Sequence, residues 1–356
     1  MRQPRSHLPG LVGLLLLVSY LSPYGAAREI TQAASSSRAV SYGVNSHPIW
    51  VGADRQDPAM SAMKSAGVQT ARIDVPWDVV EPVKGVMEPG FLANIDYSVR
   101  GLASRNIQPL LVVVGAPHWA NGSDSSQYPP LRDDDYVSFL GFLMRRYGSS
   151  VNAYEIWNEP DGEWEWHQPD PARYTALLKK SYTYAKSLNP NVTILAGSLS
   201  NVWADSQTYL RAMYANGAGR YFDVLSAHVY TDPPAHGNGT PEEILSSFQT
   251  NIIPIMRDNG DAMKRVWITE HGFNTGRNGV SEKAQGQFLT RAYAAAHAIP
   301  QVDRLYYYEW TDGCQDAIDP ECNYGLIDSS WRKKPAYDAF RKLATASSGA
   351  ATIRHH

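Results

Sequence analysis

The segment AYEIWNEPDG, residues 153–162, ends a short apolar run in an amide, a carboxylate and a proline. A strand that stops in a turn needs Pro or Gly. It has no need of Asn158 beside Glu159. A second carboxylate, Glu270, closes another apolar run, RVWITE. Two carboxyl groups about 5 Å apart can cleave an acetal by the retaining route. One protonates the departing oxygen and the other attacks the anomeric carbon. Other run ends add Arg72 and Asp74, Trp77 and Glu81, His118 and Trp119, His228 and Tyr230, and Glu309 and Trp310. Glu81 and Asp74 read as structural. Alternation along the strand sets Glu309 opposite Trp310 and outside the site.

Positioning these groups requires a scaffold that delivers strand ends to one face. From residue 39 onward the chain alternates apolar runs with helical patterns. The runs are AVSYGVN, VQTARIDV, IQPLLVVVG, NAYEIW, VTILAG, FDVLSAHVY, RVWITE and DRLYYYEW. Each precedes a helix, the first over 57–67 with Asp57 as cap and Pro58 in its first turn, the last over KPAYDAFRKLA. Near-continuous apolar strands fit a parallel sheet covered on both faces. Eight units over about 300 residues fit a closed α/β (β/α)8 TIM barrel, a single domain over residues 40–345. An open doubly wound sheet would carry a glycine-rich phosphate loop early, and none is present. In a barrel, the groups that do chemistry sit where strands end.

Composition bounds the rest. The 356 residues carry a formal charge of -3, with 43% hydrophobic and 19% charged residues. That is a globular balance, with no basic excess for nucleic acid. Ten Trp and 21 Tyr suit a cleft that stacks flat faces on a ligand. Residues 1–27 read as a signal peptide: Arg2 and Arg5, then LVGLLLLVSYL, then small residues for a cut after Ala27. A retained anchor is the rival reading. Residues 28–39 read as a flexible leader and 346–356 as a disordered tail. The expected location is secreted or periplasmic, without stable membrane insertion after cleavage. Cys314 and Cys322 are the only cysteines, and in an exported chain they form a disulfide candidate worth about 2–3 kcal/mol. Asn121, Asn191 and Asn238 head glycosylation sequons. No metal spacing and no dinucleotide loop appears, so neither metal nor cofactor is expected.

WNEP at the fourth strand end and ITEHGF at the seventh resemble the signature of the clan A glycoside hydrolases. ARIDVPWDVVEPVKG is similar to the clan's second-strand segment. QYPP, NYGLID and KKPAYDAF look most like glycoside hydrolase family 39, above all its single-barrel bacterial exopolysaccharide endoglycosidases, with family 5 as the neighbour. The resemblance covers nearly all of residues 40–345. It implies Glu159 as acid/base and Glu270 as nucleophile. Glu159 would start protonated beside the charge of Glu270 and release its proton once Glu270 is esterified. The resemblance also implies that Asn158 binds the sugar 2-hydroxyl, Arg72 and Tyr230 hold Glu270, and Trp310 forms the floor beneath the sugar. His118 and His228 are candidate hydroxyl ligands, and Trp119, Trp164 and Trp166 candidate outer-subsite faces.

The expected activity is retaining hydrolysis of a β-linked poly- or oligosaccharide. The family's xylosidases and iduronidases carry an extra β-rich domain, which tilts the expectation toward an internal cut by a lone barrel. An exo-acting, xylosidase-like enzyme and a family 5-like endoglucanase are the alternatives. A transglycosylase would use the same residues, and a catalytically inactive sugar-binding barrel is the non-enzymatic reading.

Overall fold

The computed structural model describes residues 40–230 and 240–352. The signal, leader and Asn238 expectations lie outside them. Eight parallel strands close a barrel in chain order: β1 (Ser41–Ser46), β2 (Thr70–Pro76), β3 (Gln108–Val114), β4 (Ala153–Ile156), β5 (Thr193–Leu199), β6 (Val224–His228), β7 (Arg265–His271) and β8 (Val302–Tyr307). β8 pairs back with β1, Ser41 opposite Arg304.

Helices fill the return paths: α1 (Ala53–Ala66), α2 (Trp77–Val80), α3 (Pro89–Ser104), α4 (His118–Asn121), α5 (Asp133–Tyr147), α6 (Pro171–Leu188), α7 (Ala204–Ala215), α8 (Pro241–Asp258), α9 (Glu282–His297) and α10 (Pro335–Thr352). α2 and α4 are single turns on the mouth side. Local chemistry starts the long ones. Asp170 accepts from the amides of Ala172 and Arg173 ahead of α6, and Thr240 with Glu243 forms a capping box on α8. None of the helices among the described residues is long and apolar enough to cross a membrane.

Two helix boundaries differ from the sequence pattern. α1 starts a turn early, after Gly52, so Pro58 lies inside the helix. Asp57 is free of the cap and pairs with Arg105 at 2.6 Å. At the other end, α10 continues past residue 345 to Thr352, where a disordered tail was expected. Ser347 lies inside it and bonds the Tyr42 hydroxyl at 3.2 Å, and the Ala-rich stretch has the intrinsic preference to carry the helix on.

The barrel interior is layered. Leu110, Ala153, Leu195, Val224, Trp267 and Tyr306 form an apolar plug at its base. Above the plug lies a polar layer built around Arg72 and Glu155, both buried. The main apolar core is the shell between strands and helices. The plug and shell hold the strands rigidly, and the polar layer begins the site.

Candidate active site

The site grows from Arg72. Its guanidinium is buried and has a partner on each nitrogen. Nε donates to Glu155 Oε2 at 2.7 Å, Nη1 to Glu270 Oε1 at 2.6 Å and to Asn45 Oδ1 at 3.1 Å, and Nη2 to Asn158 Oδ1 at 2.7 Å. One planar fork therefore sets the positions of residues from β1, β4 and β7, a task its geometry suits. Burial alone would disfavour the cation, but Glu155, Glu270 and Asp74 more than offset it. Ser226 and Thr269 hydroxyls complete the shell around Glu155.

Glu270 ends up with a donor on each oxygen, Arg72 on Oε1 and the Tyr230 hydroxyl on Oε2 at 2.7 Å. Burial and the Glu270 charge push the Tyr230 phenol well up, which keeps it a donor. The glycine of ITEHGF has a steric reason. A Cβ on Gly272 would lie 2.0 Å from the Tyr308 carbonyl oxygen, so only glycine allows β7 and β8 to meet there.

Glu159 reaches the same space from the other side. Trp157 and Glu159 take positive φ, 69° and 39°, on either side of Asn158. Backbone in this region costs a non-glycine residue of order 1–3 kcal/mol and clusters at functional sites. The Glu159 amide donates to Ser198 O at 3.1 Å, which ties the bend to β5. There the register shifts between Ala196 and Leu199, with Gly197 at φ 98°. The irregularity aims the Ser198 hydroxyl at Asn158 Oδ1 (3.3 Å) and at the His228 ring (3.2 Å).

His228 stands between the two carboxylates. Nδ1 is 2.6 Å from Glu159 Oε1 and Nε2 is 3.4 Å from Glu270 Oε1. Burial opposes its charge, yet Glu270 and Glu159 win and raise it. The Trp164 indole N–H donates to the second Glu159 oxygen. One donor atom from each of Glu159, His228 and Glu270 falls within 4.8 Å of the others. Such a trio could ligate a cation, but the Arg72 guanidinium already occupies Glu270 Oε1 and competes with one.

Three expected site residues lie elsewhere. His118 is exposed and faces Asp124 at 3.2 Å. Its strand ends at Val114, and the following turn carries it outward. Trp119 turns its indole N–H to Glu81 O at 2.8 Å and packs edge-on against Trp77. Trp310 is wholly buried against Tyr337 of α10 and forms no floor. Beyond β8 the backbone pairs with residues 324–327, and the Trp310 amide donates to Asn45 O. These bonds draw it behind the barrel rim. Tyr308 takes the mouth position. It packs against Tyr230, Tyr324 and His47, and the Glu270 charge adds to burial in raising its phenol. Among the outer aromatics, Trp166 is buried against Trp157, while Trp164 stays exposed beside Glu159.

The sequence reading passed over a second polar group. His47 Nδ1 meets Asp74 at 2.9 Å and Nε2 meets Glu309 at 3.3 Å. The pairing outweighs burial, so His47 is raised well above its usual range and Asp74 drops to about 2. Burial outweighs His47 at Glu309, which is raised. A cavity of about 470 Å³ is lined by His47 and Glu309 together with Tyr308, Trp50, Arg55 and Trp331. The Cys314–Cys322 disulfide closes the loop behind it, and Glu321 of that loop accepts from the Tyr308 hydroxyl. The available signal was His47, one residue past the first strand: Ser46 pairs with Ile73, which brings His47 level with Asp74 on the second.

The fold and the carboxylate pair describe a glycoside hydrolase barrel, and comparison with known proteins agrees. The family model for cellulase, glycosyl hydrolase family 5, matches residues 32–307. The chain belongs to that family, and with it to the clan A glycoside hydrolases. A β-xylosidase of Geobacillus stearothermophilus is 22% identical over 294 residues, which are 72% of this chain and 57% of that protein. A family 39 glycoside hydrolase from the gut symbiont Bacteroides cellulosilyticus superposes with a TM-score of 0.72 at 24% identity, over 86% of this chain and 64% of that one. A monomeric β-xylosidase from Caulobacter crescentus gives 0.67 at 17% identity, over 86% and 68%. The chain thus spans somewhat under two thirds of the first two. The likeness to the solved structures is one of fold.

Proposed function

We propose that this chain is an exported retaining glycosidase that cleaves β-linked poly- or oligosaccharide, with Glu270 as nucleophile and Glu159 as acid/base. The convergence of their oxygens within 4.8 Å carries the proposal. It suits a retaining pair and leaves no room for the water that an inverting pair holds between its carboxyls. In the first step a Glu270 oxygen bonds to the anomeric carbon as the glycosidic bond breaks, and Glu159 passes its proton to the departing oxygen. In the second, Glu159 takes a proton from water, the hydroxide bonds to the anomeric carbon and the ester to Glu270 breaks. Asn158 offers its amide to a sugar hydroxyl, and Tyr308 supplies the flat face assigned earlier to Trp310.

The exposed faces of Trp50 and Trp331 beside the cavity suit a further sugar unit. The Cys314–Cys322 bond accords with a compartment outside the cytoplasm. Glu270→Gln should abolish turnover, and azide should rescue Glu270→Ala as a glycosyl azide. Wild-type turnover by Glu270→Gln would overturn the assignment. Product sizing on a polysaccharide panel separates internal cutting, which gives long oligomers, from the end-wise cutting of a β-xylosidase, which gives monomers.

A further inference from the structure

We propose that Trp164 is the positioning residue for Glu159: its indole N–H steadies the carboxylate that the second step needs, and its open face receives the departing sugar in the first. The proposal deepens the glycosidase reading and rests on it. The indole N–H donates to Glu159 Oε2, while Oε1 meets His228 Nδ1 at 2.6 Å. His228 is wholly buried, so Oε1 is turned inward and Oε2 is left toward the mouth. An indole can only donate. Its bond therefore favours the ionised carboxyl over the acid. That help is needed in this place, because Glu270, Asp161 and Glu165 surround Glu159 with further carboxyl groups.

The loop after β4 is folded to put the ring there. The Gly162 amide donates to Glu159 O at 2.9 Å, and the Glu165 and Trp166 amides both donate to Gly162 O, at 3.1 and 2.9 Å. A Cβ on Gly162 would lie 2.6 Å from Trp164 Cε2, so glycine is what lets the indole lie across this turn. The Gln127 side chain donates to Trp164 O at 2.6 Å, and the His167 amide donates to Gln127 O at 3.0 Å. These bonds pin the turn to the loop after β3. The backbone is thus fixed while the Trp164 side chain stays 57% exposed. β4 stands across the barrel from β8 and β1. Glu159 protonates the departing oxygen, so the departing sugar leaves over this side, where a flat apolar face awaits it. Stacked there, it draws the N–H off Oε2 while the acid form is required. Once it has gone the indole returns, as the carboxylate takes its proton from water.

Kinetics on the full chain separate the two steps. The probe is the dinitrophenyl β-glycoside, from a panel with one- to three-sugar glycones, that the wild type cleaves best. Dinitrophenolate departs without a proton, so kcat/KM reports a first step free of acid help and kcat reports the base-dependent second step. Trp164→Phe keeps a face and loses the N–H. It should lower kcat about tenfold, the worth of one hydrogen bond to a charged group, and leave kcat/KM unchanged. Azide needs no base: it bonds to the anomeric carbon as the ester to Glu270 breaks. It should restore kcat and yield a glycosyl azide. Gly162→Ala, which displaces the ring, should reproduce this pattern. Trp164→Ala should in addition lower kcat/KM on an oligosaccharide roughly three- to tenfold through the lost stacking, most of which Trp164→Phe keeps. An unmoved kcat, equal losses in kcat and kcat/KM, or a loss that azide does not restore would overturn the proposal. Glu159→Ala tests the reading beneath it, and should lose kcat on the same glycoside and regain it with azide. Failure there, or a panel without any turnover, would overturn the glycosidase reading. Rescue of Glu159→Ala without rescue of Trp164→Phe would sink the Trp164 proposal alone.

Discussion

His228 Nδ1 lies 2.6 Å from Glu159 Oε1, and the same ring reaches Glu270 with its other nitrogen. One imidazole thus fixes the spacing of two carboxylates whose codons lie 111 residues apart. Replacing it with Asn keeps one polar contact and loses the bridge. We expect His228→Asn to lower kcat/KM about 10²- to 10³-fold with the fold intact, the scale of one misplaced catalytic group. Circular dichroism with steady-state kinetics checks both halves, and an unchanged kcat/KM would show that Arg72 and Ser198 hold the pair without it.

Tyr230 and Arg72 both bond Glu270 and should fail differently. Tyr230→Phe removes one donor from Glu270 Oε2 and leaves the buried network standing. It should slow turnover while unfolding near the wild-type temperature. Arg72→Met leaves Glu155 and Glu270 without their cation in a buried layer. Breaking a buried pair from one side costs on the order of 3–5 kcal/mol. Urea unfolding should show that loss, and Arg72→Lys should recover little of it, because an ammonium lacks the fork that meets four partners.

The pH dependence of stability has a sign that can be worked out. His47 and His228 are raised above 6.5 in the folded chain, and Glu165 is raised to about 8. In each case the native state holds a proton that the unfolded chain releases. Their contribution is fully present below the unfolded pKa and is lost as pH rises through the folded one, up to about 1.4 kcal/mol per pH unit per proton. Asp74, lowered to about 2, acts oppositely and loses its contribution only as pH falls toward that value. The melting temperature should therefore fall from pH 6.5 upward, with a smaller slope in His47→Gln and in Glu165→Gln. A His47→Gln slope equal to the wild type's would mean that His47 carries no proton between Asp74 and Glu309.

What the sequence revealed followed from where strands stop. Glu159, Glu270, Asn158, His228 and Tyr230 sit at or beside run ends, with Arg72 further back inside its run, and the eight-run rhythm is enough to place run ends at one mouth. Glu155 and Asn45 went unnoticed because their roles come from register across the barrel, which one strand's pattern does not contain. Ser198 was hidden by the register shift in β5, one residue beyond the apparent end of the run. His118, Trp119 and Trp310 failed for a common reason. Each lies beyond its strand's last hydrogen-bonded residue, where turn geometry rather than alternation decides direction. His47 and Glu309 needed knowledge that β1 and β8 are neighbours, which only closure of the barrel provides.

The exchange of Trp310 for Tyr308 gives a direct test of that last point. Trp310 is fully buried, and its ring packs on Tyr337. Trp310→Ala should therefore cost about 3–5 kcal/mol of stability, as core truncations of this size do. Tyr308 is partly exposed at the mouth, beside Tyr230 and Tyr324. Tyr308→Ala should cost less stability than Trp310→Ala, because the Tyr308 ring lies at the mouth and is only partly buried, whereas Trp310 is wholly buried. Its cost should fall on substrate instead, raising KM and lowering kcat together if the ring bears on the sugar in both ground and transition states. Tyr308→Phe keeps the face and loses only the bond to Glu321, so it should stay close to wild type in KM. If Trp310→Ala left stability intact and raised KM, the floor would belong to Trp310 after all and the backbone path after β8 would have to differ from the one described.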